Sequence, residues 1–183
     1  MCLFLSALAA QVKAAEIRLS KAAALATLIL EGEIVAGDYA KIKLFLNDNC
    51  SDDLSVPCFR SIYLASPGGN VTEAMKIGTL VRNLRLTTLV PENSPSIVLK
   101  AEQGNLKDPR ANYMCASACF FIAVAGIDRE VSPYNPILGI HRPFIADSEL
   151  AALNANQVIE SSTRFRTIVE SYLKEMNVPC LSG

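Results

Sequence analysis

The sequence carries almost no excess charge of either sign. Its 17 Lys and Arg residues are balanced by 18 Asp and Glu residues, and the formal net charge at pH 7 is −1. A chain so balanced lacks the basic surface by which proteins bind nucleic acid or anionic membranes. It also lacks a collagen-like glycine period, a long heptad run and any self-similar block, which excludes fibrous and repeat architectures. We therefore expect no nucleic-acid partner.

No apolar run is long enough to cross a bilayer, which takes about 20 residues. The run at residues 2–10 has nine residues, and the run at residues 25–30 ends at a glutamate. Residues 2–10 and the small residues before a cut after Ala14 resemble a secretory signal peptide that lacks its basic segment. An N-terminal helix lying on the domain is the alternative. A signal peptide at residues 1–14 predicts a periplasmic or secreted protein without a membrane span.

The remaining residues, 15–183, suit a single globular domain. The whole chain has 183 residues, of which 51% are hydrophobic and 19% are charged. A domain of this size buries a sizeable core, so neither a metal nor a disulfide is needed merely to hold it together.

The cysteines fit an oxidising compartment. Cys50 and Cys58 bracket a polar loop that a disulfide would close. Cys115 and Cys119 would be one helical turn apart if both were helical, which is awkward for a bond, so we expect each to pair elsewhere or to stay reduced. The spacing of Cys115 and Cys119 suits a zinc site, but that of Cys50 and Cys58 does not. We expect structural disulfides or buried thiols and no metal.

Strand and helix patterns alternate along the chain. The predicted strands are residues 25–34, 60–65, 86–90, 129–132 and 137–141. The predicted helices are residues 37–46, 70–81, 116–125 and the long amphipathic segment 158–176. This order predicts an α/β fold with parallel neighbouring strands and with ligand sites at the carboxyl ends of the strands.

The sequence also predicts a capped start for the second helix and a long polar segment after the third strand. Asn70 is placed to cap the second helix, and Glu73 has the spacing that completes a capping box. Residues 91–112 are polar and long for a connection within a compact domain, which predicts an insertion or a flap.

A glycine pair follows the second predicted strand. Gly68 and Gly69 lie between the strand end and a helix N-terminus, where glycine permits close approach of a ligand and free N–H groups suit an oxyanion. An ordinary tight turn is the alternative.

Ser117 lies between two alanines at the start of the third predicted helix. Small neighbours let a substrate carbonyl approach the hydroxyl, and the Ala118 N–H would point at the resulting oxyanion. A helix N-cap is the alternative role for Ser117. His141 is the single histidine, 24 residues further on at a predicted strand end. A lone histidine is usually structural, yet a serine nucleophile needs a base and this is the only histidine to supply it.

Together these segments resemble the proteolytic subunit of Clp protease and its periplasmic relatives, within the wider Clp/crotonase superfamily. The resemblance extends from near Leu28 to near Phe144. It rests on IYLASPGG at 62–69, LTTLV at 86–90, ASA at 116–118, AG at 125–126 followed by Arg129, and IHRP at 140–143.

The resemblance implies a Clp/crotonase-like spiral of ββα units and assigns roles to individual residues. Ser117 falls on the family's nucleophile and His141 on its general base. Gly68 and Ala118 fall on the residues whose backbone N–H groups form the oxyanion hole, and Gly69 is assigned to substrate binding. The insertion at 91–112, the cysteines beside the serine and the signal-like N-terminus depart from the family pattern.

The family's catalytic aspartate has no counterpart that we can assign. The acidic residues after His141 are Asp147, Glu149, Glu160, Glu170 and Glu175, and none has the family's context. Asp147 is the nearest, and it is placed as a helix cap. We expect the natural protein to supply its acid beyond Gly183, so that the chain is a fragment. A Ser117–His141 dyad held by a backbone carbonyl is the alternative.

We therefore expect a serine hydrolase, and more narrowly a peptidase, acting on peptides or proteins in an exported compartment. It would need no cofactor. A catalytically inactive peptide-binding module on the same fold and a crotonase-like thioester enzyme are the alternatives, although a separate serine and histidine favour hydrolysis. Rings are common in the family, so the resemblance leaves a homo-oligomer open.

Overall fold

The computed structural model describes residues 14–20, 26–50, 59–90, 114–131, 138–140 and 154–179. The strands in these ranges are β1 (Glu16–Ser20), β2 (Thr27–Glu31), β3 (Ser61–Ala65), β4 (Thr87–Val90), β5 (Cys115–Ala116), β6 (Arg129–Val131) and β7 (Leu138–Gly139). The helices are α1 (Asp38–Asn49), α2 (Val71–Asn83), α3 (Cys119–Ala123) and α4 (Ala155–Glu175).

Five of the strands form one mixed sheet in the order β1-β2-β3-β4-β6. β1 is antiparallel to β2, and the other neighbours are parallel. α1 connects β2 to β3 and α2 connects β3 to β4, as parallel neighbours require. β5 and β7 form a separate two-stranded parallel sheet. The predicted α/β class is confirmed.

The central strands are buried on both faces, which explains their nearly continuous apolar sequences. Leu28 and Leu30 of β2 belong to the larger core, to which α1, α2 and α3 also contribute. Ile29 and Tyr63 belong to a second buried cluster. Since successive side chains of a strand point to opposite faces, the sheet has a core on each side.

Several predicted boundaries need correction. β1 was not predicted, and it pairs with β2 along its whole length. The predicted helix at 116–125 is wrong at its start, because Cys115–Ala116 is a strand and α3 begins at Cys119. Of the predicted signal peptide, only Ala14 is described, and it forms a bridge with Glu33. The predicted insertion at 91–112 lies outside the described residues.

The capping-box prediction for α2 is half correct. The Asn70 side chain accepts a hydrogen bond from the Glu73 N–H at 2.9 Å. The Glu73 carboxylate instead accepts the N–H groups of Gly37 and Tyr39, each at 2.9 Å, at the N-terminus of α1. Free N–H groups and the helix dipole favour a carboxylate there. Glu73 thereby joins α1 to α2.

We expect Glu73 to make stability depend on acid pH. Burial raises the pKa of Glu73, but hydrogen bonds from Tyr39, Lys76 and Gly37 together bring it below the ordinary value of 4.5. Because the folded-state pKa is the lower one, the stabilisation is complete above the unfolded value and is lost as the pH falls through the folded value. Glu73→Gln should cost about 1–3 kcal/mol at neutral pH, because the N–H groups at the N-terminus of α1 lose a charged acceptor.

Urea unfolding of both proteins, from neutral pH down through the pKa, checks this. The difference in unfolding free energy between wild type and Glu73→Gln should shrink as the pH falls. Glu170→Gln is the matched control, since it removes only the exposed pair with Arg166 and should change little. A Glu73→Gln difference that stays constant with pH would contradict the prediction.

The C-terminal end of α4 is anchored to α2 and α3. The Tyr172 hydroxyl donates to the Phe121 carbonyl at 2.6 Å. The Met176 carbonyl accepts hydrogen bonds from Arg82, at 2.7 Å, and from Arg129. Cations stabilise the negative end of a helix dipole, so both arginines favour this docking. None of the described helices is long and apolar enough to span a membrane.

Candidate active site

Ser117 occupies a sharp turn between a strand and a helix. β5 ends at Ala116, α3 begins at Cys119, and Ser117 has φ 54°, in the left-handed region that non-glycine residues seldom adopt. The N-cap of α3 is Ala118, which makes no side-chain capping bond. Ser117 is therefore not the helix cap. It is half-buried, and no described residue hydrogen-bonds its hydroxyl group.

Backbone hydrogen bonds hold both sides of this turn. The Ser117 N–H donates to the Gly139 carbonyl at 2.7 Å, which continues the pairing of β5 with β7. On the other side, the Ser66 N–H donates to Met114 at 2.9 Å and the Ala116 N–H donates to Ser66 at 3.0 Å. Ser66 directly follows β3, so the turn lies at the carboxyl end of that strand, where the sequence predicted a site.

Gly68 packs directly against the turn. A Cβ atom on Gly68 would lie 2.6 Å from the Ser117 Cβ, 2.7 Å from the Ala116 carbonyl oxygen and 3.0 Å from the Ala118 nitrogen. Gly68 also has φ +109°, which disfavours any side chain. Gly68, Ser117 and Ala118 are thus brought together, although they are about 50 residues apart in the sequence.

One of the two predicted oxyanion donors already has a partner. The Gly68 N–H donates to the Ser66 hydroxyl oxygen at 3.1 Å, and Ser66 is buried. No described residue accepts a hydrogen bond from the Ala118 N–H. Sequence reasoning missed the role of Ser66, although serine side chains often bond the N–H two residues further on. An oxyanion would have to displace the Ser66 hydroxyl from the Gly68 N–H.

Gly69 lies beside Ile34 at the edge of the same loop. The Ile34 N–H donates to Gly68 at 2.7 Å, and the Asn70 N–H donates to Ile34 at 2.8 Å. A Cβ atom on Gly69 would overlap the Ile34 carbonyl oxygen, so only glycine fits. Gly69 is also exposed, and its assignment to substrate binding stays a prediction.

His141 lies outside the described residues, as does Asp147. The nearest described strand residue is Gly139, at the end of β7, whose carbonyl accepts the Ser117 N–H. The role of His141 as the general base therefore stays a prediction.

The structure corrects the expectation that the two cysteines beside Ser117 do not bond each other. Cys115 and Cys119 form a disulfide with their Cα atoms 5.2 Å apart. The expectation against this bond assumed that both are helical, whereas Cys115 is in a strand and the chain reverses at Ser117. Their sulfur atoms are thus not metal ligands, and no group of three His, Cys, Asp or Glu side chains in the described ranges is arranged for a metal.

A second disulfide involves Cys50, at the end of α1. Cys115 and Cys119 are bonded to each other, so the partner of Cys50 lies outside the described residues. Cys58, the predicted partner, is one of the cysteines there, and the pairing with Cys58 stays a prediction.

A scan against protein-family models, a search of curated proteins and a search of solved structures each returned no match to this chain. The resemblance to the Clp/crotonase superfamily therefore stays a prediction from the sequence.

Proposed function

We propose that this protein is a serine hydrolase, and more narrowly a peptidase, with Ser117 as its nucleophile and His141 as its general base. The observation that carries the proposal is the conformation of Ser117. A non-glycine residue held in the left-handed region costs about 1–3 kcal/mol, and such residues are concentrated at functional sites. Arg85 and Asn177 share this conformation but end the helices α2 and α4, whereas Ser117 lies between a strand and a helix. Strand–nucleophile–helix turns in hydrolases expose the serine hydroxyl by the same kind of strained backbone.

Chain connectivity supports His141 as the base. Gly139 accepts the Ser117 N–H, and His141 follows Gly139 by two residues. The residue that the resemblance assigns as the base is therefore close in the sequence to the strand that holds the Ser117 turn.

The proposed chemistry uses the roles that the resemblance assigns to these residues. His141 would take the Ser117 proton while the serine oxygen attacks the peptide carbonyl carbon. The Ala118 N–H, joined by the Gly68 N–H once the Ser66 hydroxyl is displaced, would stabilise the oxyanion. The carbon–nitrogen bond would then break as His141 protonates the leaving amine. Water activated by His141 would release the acyl group from Ser117.

The arrangement of elements supports a spiral of ββα units. In the described residues, β4, β5 and α3 form one unit, and β6, β7 and α4 form the next. Each unit contributes one strand to each sheet, and corresponding strands are parallel neighbours. Repetition of two strands and a helix is what the Clp/crotonase-like spiral would contain.

The disulfides support an exported location. Cys115–Cys119 and the disulfide of Cys50 are bonds that form and persist in the periplasm or outside the cell. A peptide substrate would bind extended beside a strand edge near Gly69, by the strand-addition mode that many peptide-binding proteins use.

One observation favours a second candidate, a peptide-binding module without turnover. The Gly68 N–H is occupied by the Ser66 hydroxyl, so half of the oxyanion hole is filled. If no substrate displaces this hydroxyl, the cleft binds a peptide without stabilising a tetrahedral intermediate.

Labelling with a fluorophosphonate probe separates the two candidates. The folded full chain should be labelled, with the modification mapped by mass spectrometry to Ser117. Ser117→Ala should abolish labelling, and His141→Ala should slow it on the order of 10²–10⁴-fold because the general base is lost. Ser171→Ala, on the exposed face of α4, is the matched control and should label normally.

Two outcomes would overturn the proposal. A folded wild-type protein that resists the probe would refute the serine-hydrolase proposal. Equal labelling of wild type and Ser117→Ala would place the nucleophile elsewhere.

A further inference from the structure

A disulfide encloses the whole Ser117 turn. It joins Cys115, in β5, to Cys119, the first residue of α3. The closed loop contains Ser117, the proposed nucleophile, and Ala118, whose N–H is a proposed oxyanion donor. The Ser117 hydroxyl and the Ala118 N–H thus both lie in a loop that a covalent bond closes between β5 and α3.

The disulfide adds a direct link between β5 and α3 to the hydrogen bonds at the turn. Those bonds join β5 to Ser66 and the Ser117 N–H to Gly139, and the carbonyls of Ser117 and Ala118 accept from the N–H groups of Phe120 and Phe121 at 3.1 Å each. The left-handed conformation of Ser117 is disfavoured for an L-residue, so the turn would relax unless its two ends were held. The disulfide joins these two ends directly.

The size of the loop argues for a local effect. A disulfide with a sequence separation of four closes a very short loop, and short loops restrict the unfolded chain least. Its contribution to global stability is therefore small for a disulfide, and its main effect falls on the three residues inside it.

Burial argues against a redox switch. Cys115 and Cys119 are both fully buried, whereas redox-active cysteines are accessible to their partners. The bond is thus suited to remain oxidised once the protein has folded.

We propose that the Cys115–Cys119 disulfide is a positioning element that holds the Ser117 hydroxyl and the Ala118 N–H in their reactive arrangement. The inference rests on the proposed function of Ser117. It assigns to the two cysteines an effect on the rate of reaction at Ser117 rather than on binding.

The first measurement is non-reducing peptide mapping of the exported wild-type chain, which should find Cys115 linked to Cys119. The second compares Cys115→Ala/Cys119→Ala with wild type in fluorophosphonate labelling. The maximal labelling rate should fall on the order of 10²-fold, as small misplacements of reacting groups do, with the apparent affinity for the probe unchanged. Cys50→Ala, which removes the other disulfide, is the matched control and should keep the wild-type rate.

Amide hydrogen exchange provides a readout that needs no activity. The Ser117 N–H is hydrogen-bonded to Gly139, so its exchange reports on the turn. Exchange at Ser117 and Ala118 should accelerate in the double variant and not in Cys50→Ala. If the double variant does not fold, Cys115→Ser/Cys119→Ser, whose side chains are closer in volume to the cystine, gives the same comparison.

The outcomes separate this inference from the proposed function. A wild-type chain that the probe does not label refutes the function, while hydrogen exchange still decides whether the bond holds the turn. A labelled wild type with an unchanged maximal rate and unchanged exchange in the double variant refutes the positioning role. A Cys115 linked to any other cysteine refutes it as well.

Discussion

Gly68→Ala should slow fluorophosphonate labelling of Ser117 on the order of 10²–10³-fold, the usual cost of losing one oxyanion donor. The new Cβ would lie 2.6 Å from the Ser117 Cβ and 2.7 Å from the Ala116 carbonyl oxygen. The Ser117 Cβ and the Ala116 carbonyl oxygen cannot move unless the backbone moves with them. The loop that contains Gly68 must therefore separate from the Ser117 turn. Separation changes the direction of the Gly68 N–H relative to the serine and disturbs the serine itself.

Gly37→Ala is the matched control for this substitution. Gly37 also has a left-handed φ, +97°, but a Cβ atom added there would have no other atom within 4 Å. It should therefore show the cost of backbone strain, about 1–2 kcal/mol, without slowing the labelling. Both variants are to be compared at a temperature where thermal unfolding shows them folded. A folded Gly68→Ala protein with the wild-type rate would remove Gly68 from the mechanism.

The central strands and their helices could be predicted because local signals determine them. β2, β3 and β4 are short apolar runs, and α2 begins at a good cap, Asn70. β1 has only five residues, and its polar and apolar residues alternate. Its Arg18 pairs with Glu31 of β2 at 2.9 Å. The alternation is the pattern of a half-buried strand, so β1 was missed although the sequence carried its signal, whereas its pairing with β2 could not be predicted.

The segment from Cys115 to Cys119 shows why part of the site could not be predicted. Alanine favours a helix over a strand, so the local preference at Ala116 predicted the wrong element, and the bridge between Ser66 and Cys115 decides for a strand. The helix was predicted to begin too early, and the assumption of helical geometry led to the wrong expectation that Cys115 and Cys119 do not bond each other. The juxtaposition of Gly68 and Ser117 was implied by the family resemblance, whereas the Ser66 hydrogen bond depends on the three-dimensional turn.

Gly78→Ala should destabilise the fold, although helix propensity alone would predict that alanine stabilises it. Gly78 is in the middle of α2, where alanine is favoured over glycine by about 1 kcal/mol. A Cβ atom there would overlap the Tyr172 hydroxyl oxygen and lie 2.9 Å from the Phe121 carbonyl oxygen. Overpacking costs about 1–3 kcal/mol, and displacing a buried hydrogen bond costs about 1–3 kcal/mol more. We expect a net loss of about 1–5 kcal/mol in urea unfolding.

A double-mutant cycle with Tyr172→Phe shows whether the hydroxyl group is the cause. Burial raises the pKa of Tyr172, so the hydroxyl stays protonated and donates to Phe121. Alone, Tyr172→Phe should cost about 1 kcal/mol because that hydrogen bond is lost. In the Gly78→Ala protein the same change removes the overlapping atom, so it should be neutral or stabilising. If Gly78→Ala alone is more stable than wild type, the end of α4 does not pack on α2 at this glycine.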